Sequence, residues 1–126
     1  MELKLRVRHA DSPEILRAYA QRRLGFALGR FANRIGRLTT RIDDVNGPRG
    51  GIDKLCCINA RLVPTGTVVM HELDANAVVA IDRVVDRIAR AVRRKLERRR
   101  DRRRRSNKLW VGVDGSPDST TSGEKQ

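Results

Sequence analysis

The sequence predicts an α+β domain of order β-α-β-β-β-α, in which two helices pack on one face of a four-stranded mixed sheet. Two observations favour this class. Four short segments alternate apolar with polar residues at the period of a strand, and two longer segments repeat apolar residues at helical steps. We assign residues 1–100 to this domain, and residues 101–126 to an arginine-rich extension and a disordered tail rich in Ser, Thr and Gly.

The first strand and the first helix have clear signals. Residues 3–9 alternate apolar with basic side chains, as expected of a strand with one buried face. The segment Asp11–Glu14 then offers an N-cap candidate, a proline suited to a first helical turn and an acid near the positive end of the helix dipole. This helix should run to about Phe31. Its apolar face is predicted to hold Leu16, Ala20, Leu24, Ala27 and Phe31.

Three further strands follow. Alternation predicts a second strand at residues 37–43, a third at residues 56–62 and a fourth at residues 67–73, with a wide hairpin loop at residues 46–51. A right-handed first crossover makes the first two strands parallel, and the remaining pairs should be antiparallel.

The register of the fourth strand is not decided by its sequence. Val68 and Met70 form one apolar alternate set, and Val69 with His71 competes with them for the inward face.

The last helix should carry an apolar stripe and an arginine stripe. Asn76 can cap it, and Asp82 and Asp86 can form ion pairs with Arg90 and neighbouring arginines. The apolar stripe is Ile81, Val84, Val85, Ile88, Val92 and Leu96. The arginine stripe is Arg83, Arg87, Arg90, Arg94 and Arg98. Because both apolar stripes must face the sheet, we expect the arginine flanks of the two helices to be free and to form a broad outward basic surface.

The charge of the chain indicates a polyanionic partner. The 126 residues carry a formal net charge of +13, and residues 93–105 contribute ten positive and two negative side chains. Counterion release makes the binding of such a segment to a phosphate backbone favourable. A solvated, self-repelling tail is the alternative, but residues 1–92 are also basic, with 16 Lys and Arg against ten Asp and Glu.

We find no set of residues that predicts an enzyme, a metal site or a cofactor. Cys56 and Cys57 are adjacent, so they should point to opposite faces of a strand as one buried and one exposed thiol. His9 and His71 are isolated, and the acids Glu72 and Asp74 flank a loop, where they are expected to be turn formers or solvated charges. Neither a signal peptide nor a membrane-length apolar run is present, which predicts a cytoplasmic protein without membrane contact.

Four segments resemble one bacterial family. They are Val7–His9, Asp44–Lys54, Cys56–Leu62 and Ala80–Arg87. Over about residues 1–100 the chain resembles the hibernation-promoting factors and ribosome-associated translation inhibitors, whose layout is like that of double-stranded-RNA-binding domains.

The resemblance implies a function on the ribosome. Such a protein binds the small ribosomal subunit (16S rRNA) in the decoding region and blocks mRNA and tRNA binding, which inhibits translation under stress. The long members' dimerisation domain has no counterpart here, so a short form is implied, monomeric off the ribosome, and any ribosome pairing would need a separate ribosome-dimerising protein. By position, the rRNA-binding role falls on Arg22, Arg23, Arg30, Arg83, Arg87, Arg90, Arg94, Lys95 and Arg98.

Other functions stay open from the residues alone. A general structured-RNA-binding protein could use the same basic surface without ribosome specificity. All four aromatic residues lie outside the predicted strands, so recognition should use the RNA backbone and shape rather than base stacking on the sheet. Nothing in the sequence selects a regulator of sigma factors, and the apolar residues of the last helix are needed by the sheet rather than by a lipid surface.

Overall fold

The computed structural model describes residues 1–10, 12–44 and 54–113, and it confirms the predicted fold class. The strands are β1 (Glu2–Arg8), β2 (Ile35–Asp44), β3 (Lys54–Leu62) and β4 (Thr67–Asp74). The helices are α1 (Pro13–Leu28) and α2 (Ala77–Val113), and a 3₁₀ helix (Gly29–Arg34) follows α1. The predicted hairpin loop at residues 46–51 lies outside the described residues. The chain divides into two compact units, residues 1–93 and residues 94–126.

The sheet has the order β1-β2-β3-β4, with β1 parallel to β2 and the other two pairs antiparallel, as predicted. The pairing also decides the register of β4. Val68 lies opposite Ala60 and Met70 lies opposite Ile58, and both partners on β3 are fully buried. Val68 and Met70 therefore take the inward face, and Val69 is left 49% exposed.

The core of the first unit lies on one face of the sheet. From Leu38 to Ile42 in β2 and from Cys56 to Leu62 in β3 every second residue is buried there, and Thr39 and Arg41 between the buried residues of β2 are exposed. The sheet contributes Leu38, Ile42, Cys56, Ile58, Ala60 and Leu62 to this core, and α2 contributes Ile81, Val84, Val85, Ile88 and Val92. Each fully buried Leu or Ile contributes about 1.5–3 kcal/mol to stability. Thr40 is buried among these residues, and its hydroxyl has no hydrogen-bond partner among the described residues.

The first helix ends earlier than predicted. It begins at Pro13 and gives way to the 3₁₀ helix after Leu28, so that Phe31 lies on a tighter backbone and is only half-buried. The buried residues of α1 are Ala20, Leu24 and Leu28, one row at four-residue steps. Ser12 occupies the N-cap position but makes no side-chain capping bond.

The second helix begins as predicted. The Oδ1 of Asn76 accepts hydrogen bonds from the backbone N–H of Val78 at 2.8 Å and of Val79 at 3.4 Å. These bonds satisfy two of the N–H groups that a helix start leaves unpaired. The helix continues to Val113, beyond the last residue of the predicted apolar stripe, Leu96. Residues 114–126, the main part of the predicted disordered tail, lie outside the described residues.

Candidate nucleic-acid interface

Arg23 lies between the two helices rather than on a free flank. Its Nε donates to Oδ1 of Asp82 at 3.0 Å, and its Nη2 donates to Oδ1 of Asp86 at 3.2 Å. The hydroxyl of Tyr19 donates to the same Oδ1 of Asp82 at 2.5 Å. The two aspartates were expected to pair with Arg90 and neighbouring arginines on their own helix, and this prediction was wrong because Arg23 of α1 pairs with both.

This cluster changes the pKa of two of its members. The hydrogen bond to Asp82 raises the pKa of Tyr19 above its ordinary value of 10.0, with burial and the negative charge of Asp82 acting in the same direction. Burial lowers the pKa of Arg23, but its hydrogen bonds to Asp82 and Asp86 outweigh that effect and raise it overall. The cluster of Tyr19, Arg23, Asp82 and Asp86 therefore joins the helices through charged hydrogen bonds.

Arg83 and Arg87 reach from α2 to the end of β4. Arg83 Nη1 donates to Oδ2 of Asp74 at 3.0 Å, and Arg87 Nη1 donates to the carboxylate of Glu72 and to the carbonyl of His71 at 3.2 Å. Glu72 and Asp74 continue the inward register of Val68 and Met70, where they are half-buried. For Glu72 the expectation of a turn former or solvated charge was wrong, because the register of β4 turns it towards α2. Asp74 is a turn former as expected, since its Oδ1 accepts the backbone N–H of Asn76 at 2.9 Å, and its Oδ2 also pairs with Arg83.

The prediction that the helix arginines are free was thus wrong for Arg23, Arg83 and Arg87. Arg22 and Arg30 instead lie against aromatic rings, with their guanidinium carbons 5.9 Å from the Tyr19 ring centre and 5.0 Å from the Phe31 ring centre. Both arginines are exposed.

Arg90 is exposed on α2 and makes no ion pair with any residue that the structure describes. In the second unit, Arg94 and Arg98 are exposed and Lys95 is half-buried. The nine predicted RNA-binding residues therefore fall into physically different groups. Arg23, Arg83 and Arg87 are positioned by carboxylates, whereas Arg22, Arg30 and Arg90 make no ion pair with any described residue.

The described residues offer no catalytic or metal-binding chemistry. Within residues 1–10, 12–44 and 54–113, no group of three or more His, Cys, Asp or Glu side chains could hold a metal ion. Burial raises the pKa of the Cys56 thiol to about 12, and Cys57 on the opposite face is half-buried, close to the predicted pair of one buried and one exposed thiol. No helix within the described part of the chain is both long and apolar enough to span a bilayer.

A family model described as Sigma 54 modulation protein / S30EA ribosomal protein matches residues 3–100. The chain belongs to this family. The S30EA family is a group of ribosome-associated inhibitors without enzymatic activity, which confirms the predicted family and the expectation that the chain is not an enzyme. No curated protein sequence matches the chain significantly.

Two solved structures share the S30EA fold of this chain. The N-terminal domain of Thermus thermophilus Protein Y is 27% identical, with a TM-score of 0.60 over 75% of this chain and 98% of that domain. A ribosomal subunit interface protein from Coxiella burnetii is 13% identical, with a TM-score of 0.62 over 77% of this chain and 99% of that protein. At 13% identity, the second likeness shows the fold alone.

The sequence-based site prediction for this S30EA protein omitted a second group of cations. They lie on β1, β2 and β3, on the sheet face opposite the core. The alternation of Lys4, Arg6 and Arg8 with apolar residues already indicated that these three side chains share one exposed face. The cross-strand register, which the sequence does not specify, was needed to add the cations of the neighbouring strands to that face.

Proposed function

We propose that this protein is a ribosome hibernation factor of the bacterial cytoplasm. It binds the small ribosomal subunit in the decoding region through its basic helix faces, blocks mRNA and tRNA binding, and inhibits translation under stress. The observation that carries this proposal is the match of the S30EA family model to residues 3–100, which includes nearly all of the first unit.

The cations of the helices supply the chemistry that the proposal needs. Guanidinium groups bind phosphate oxygens through two parallel hydrogen bonds, and release of counterions from RNA makes each contact favourable. In the first unit, Arg22, Arg30 and Arg90 are exposed, and none of them makes an ion pair with a described residue. We assign the principal phosphate contacts of this unit to these three residues.

The paired arginines are less available to RNA than the unpaired ones. Arg23, Arg83 and Arg87 are held in place by carboxylates, and an RNA phosphate would have to share or displace those partners. In the second unit, Arg94, Lys95 and Arg98 are the proposed contacts. Pairing of inactive ribosomes would require a separate ribosome-dimerising protein.

The direct test is cosedimentation of the purified protein with small ribosomal subunits at rising salt, with and without bound mRNA and tRNA. The proposal predicts that the complex persists at near-physiological salt and is lost when tRNA occupies the subunit. Binding that disappears at low salt and ignores tRNA would instead indicate the general structured-RNA-binding alternative.

A variant set separates specific docking from diffuse attraction. The triple variant R22Q/R30Q/R90Q removes three cations without breaking an ion pair of the described residues, so its fold should be preserved. The matched control R102Q/R103Q/R104Q removes the same charge from an exposed part of the arginine run. The slope of log K against log salt is negative. We expect R22Q/R30Q/R90Q to reduce the magnitude of this slope by about 3, and the control to reduce it much less. Equal reductions of the salt slope in the two variants would show that net charge alone governs binding.

A further inference from the structure

The outer face of the sheet, opposite the core, carries a dense set of cations. The strand register places alternate residues of β1, β2 and β3 together on this face. Its six basic residues are all exposed: Lys4, Arg6, Arg8, Arg37, Arg41 and Arg61. Only two acids of the described strands share the face, Glu2 and Asp43. This surface is therefore positively charged, independently of the helices.

Both acids of the outer face already have partners. Arg37 Nε donates to Oε1 of Glu2 at 3.1 Å, and Nδ1 of His9 lies 3.0 Å from Oδ1 of Asp43. Among the residues that the structure describes, no ion pair is formed by the remaining cations of the face, which are Lys4, Arg6, Arg8, Arg41 and Arg61. Five positive charges on this face are thus left without a counter-charge from the described part of the protein.

The register also forces like charges together. Arg6 pairs with Arg41 across β1 and β2, and Arg37 pairs with Arg61 across β2 and β3. Directly opposed residues have Cβ atoms about 4.5–5.5 Å apart, and like charges at such positions destabilise a sheet. Alternate cations along one strand lie about 6–7 Å apart. The arrangement is unfavourable for folding, and a chain of phosphates laid across it would relieve the repulsion.

We propose that the outer sheet face is a second RNA-binding surface, which holds the phosphate backbone of an RNA segment separate from the one bound by the helix faces. The inference rests on the proposed function for the source of that RNA. The bound backbone lies over β1, β2 and the Arg61 end of β3, because β4 presents Thr67, Val69, His71 and Leu73 to this face. Five of the six cations are arginines, which suit phosphate oxygens better than lysine does.

Cys57 provides a reporter inside this surface. It lies on β3 between Arg41 of β2 and His71 of β4, on the outer face. Its neighbour Cys56 is buried, and that thiol serves as an internal unreactive control. The experiment is alkylation of the full chain by iodoacetamide, with Cys56 and Cys57 resolved by tandem mass spectrometry. It is performed on the free protein, with purified protein-free 16S rRNA and with intact small subunits.

The proposal predicts that both 16S rRNA and small subunits slow the alkylation of Cys57 severalfold. An unchanged rate in a saturated complex would overturn it. Protection by small subunits but not by 16S rRNA would also overturn it, since the face would then contact a protein. These outcomes are independent of the proposed function, which fails if bound tRNA does not displace the protein from the subunit.

Charge neutralisation gives a second test. The variant R6Q/R41Q/R61Q removes three unpaired cations and eliminates both directly opposed Arg pairs. We expect it to fold at least as stably as the parent protein, and to lower the slope of log K against log salt for 16S rRNA by about 3. The matched control R102Q/R103Q/R104Q should lower the slope less. Equal slopes for the two variants would refute a specific site on the sheet.

Discussion

The contact between the helices can be tested by replacing Asp82 with alanine. This carboxylate accepts a 2.5 Å hydrogen bond from Tyr19 and a 3.0 Å hydrogen bond from Arg23, and its side chain is 40% exposed. A hydrogen bond to a charged group contributes about 1.5–3 kcal/mol when buried, and partial exposure places each of these two bonds below that range. We therefore expect Asp82→Ala to lower the free energy of unfolding by about 2 kcal/mol.

The assay is thermal unfolding followed by circular dichroism. For a domain of about 100 residues, 1 kcal/mol corresponds to roughly 4–8 °C, so the Tm of Asp82→Ala should fall by about 10 °C. Asp86→Ala is the matched control, because Asp86 is 57% exposed and has one ion pair at 3.2 Å. Exposed pairs contribute about 0.2–1 kcal/mol. Equal effects of the two substitutions would refute the claim that Asp82 joins the helices.

The same cluster has a defined pH dependence. Tyr19 is the single tyrosine of the chain, so tyrosinate absorbance reports its ionisation alone. Its pKa is raised above 10.0 mainly by the hydrogen bond to Asp82, and Asp82→Ala should return it towards that value. Because the folded pKa exceeds the unfolded one, the stabilisation is present below pH 10 and is lost as the pH rises through the raised pKa. An Asp82→Ala titration that matches the parent protein would contradict the assignment.

Three further predictions concern buried and capping groups. In the folded, RNA-free chain, iodoacetamide should modify Cys57 and spare Cys56, whose pKa burial raises to about 12; similar rates measured by mass spectrometry would contradict this. Thr40→Val should raise the free energy of unfolding by about 1 kcal/mol in urea denaturation, because the buried Thr40 hydroxyl has no partner among the described residues. Asn76→Ala should lower the free energy of unfolding by about 1 kcal/mol through loss of the α2 cap. Asn76→Asp should retain most of the stabilisation by this cap.

Local periodicity predicted the elements of this fold because burial follows the repeat of each backbone. The alternation in β1 and the three- and four-residue steps from Ile81 to Val92 are signals of this kind. Periodicity could not decide which face of β4 is buried, because both alternate sets of its residues contain apolar side chains. The decision came from the neighbouring strand, since only one register places Val68 against buried Ala60.

The ion pairs were harder to predict from the sequence than the strands and helices, because their partners are distant along the chain. Asp86 has a candidate partner in Arg90, four residues further along the same helix, yet it binds Arg23, which is 63 residues away. Likewise, the ion pairs of Glu72 and Asp74 with arginines of α2 were not predicted because the inward register of β4 was unknown. Local rules for helix pairs assume an isolated helix, and a second helix or a strand edge supplies competing partners that only the tertiary fold defines.

The two basic surfaces differ in what they contribute to the protein itself. Arg23, Arg83 and Arg87 hold the helices and β4 together, so we expect substitutions there to alter folding as well as the proposed RNA binding. The directly opposed pair Arg6 and Arg41 has the opposite effect, because repulsion between the two charges destabilises the sheet. Cations that oppose folding are therefore better explained by a ligand than by the fold, and on the outer face of the sheet the proposed binding can be tested without a loss of stability.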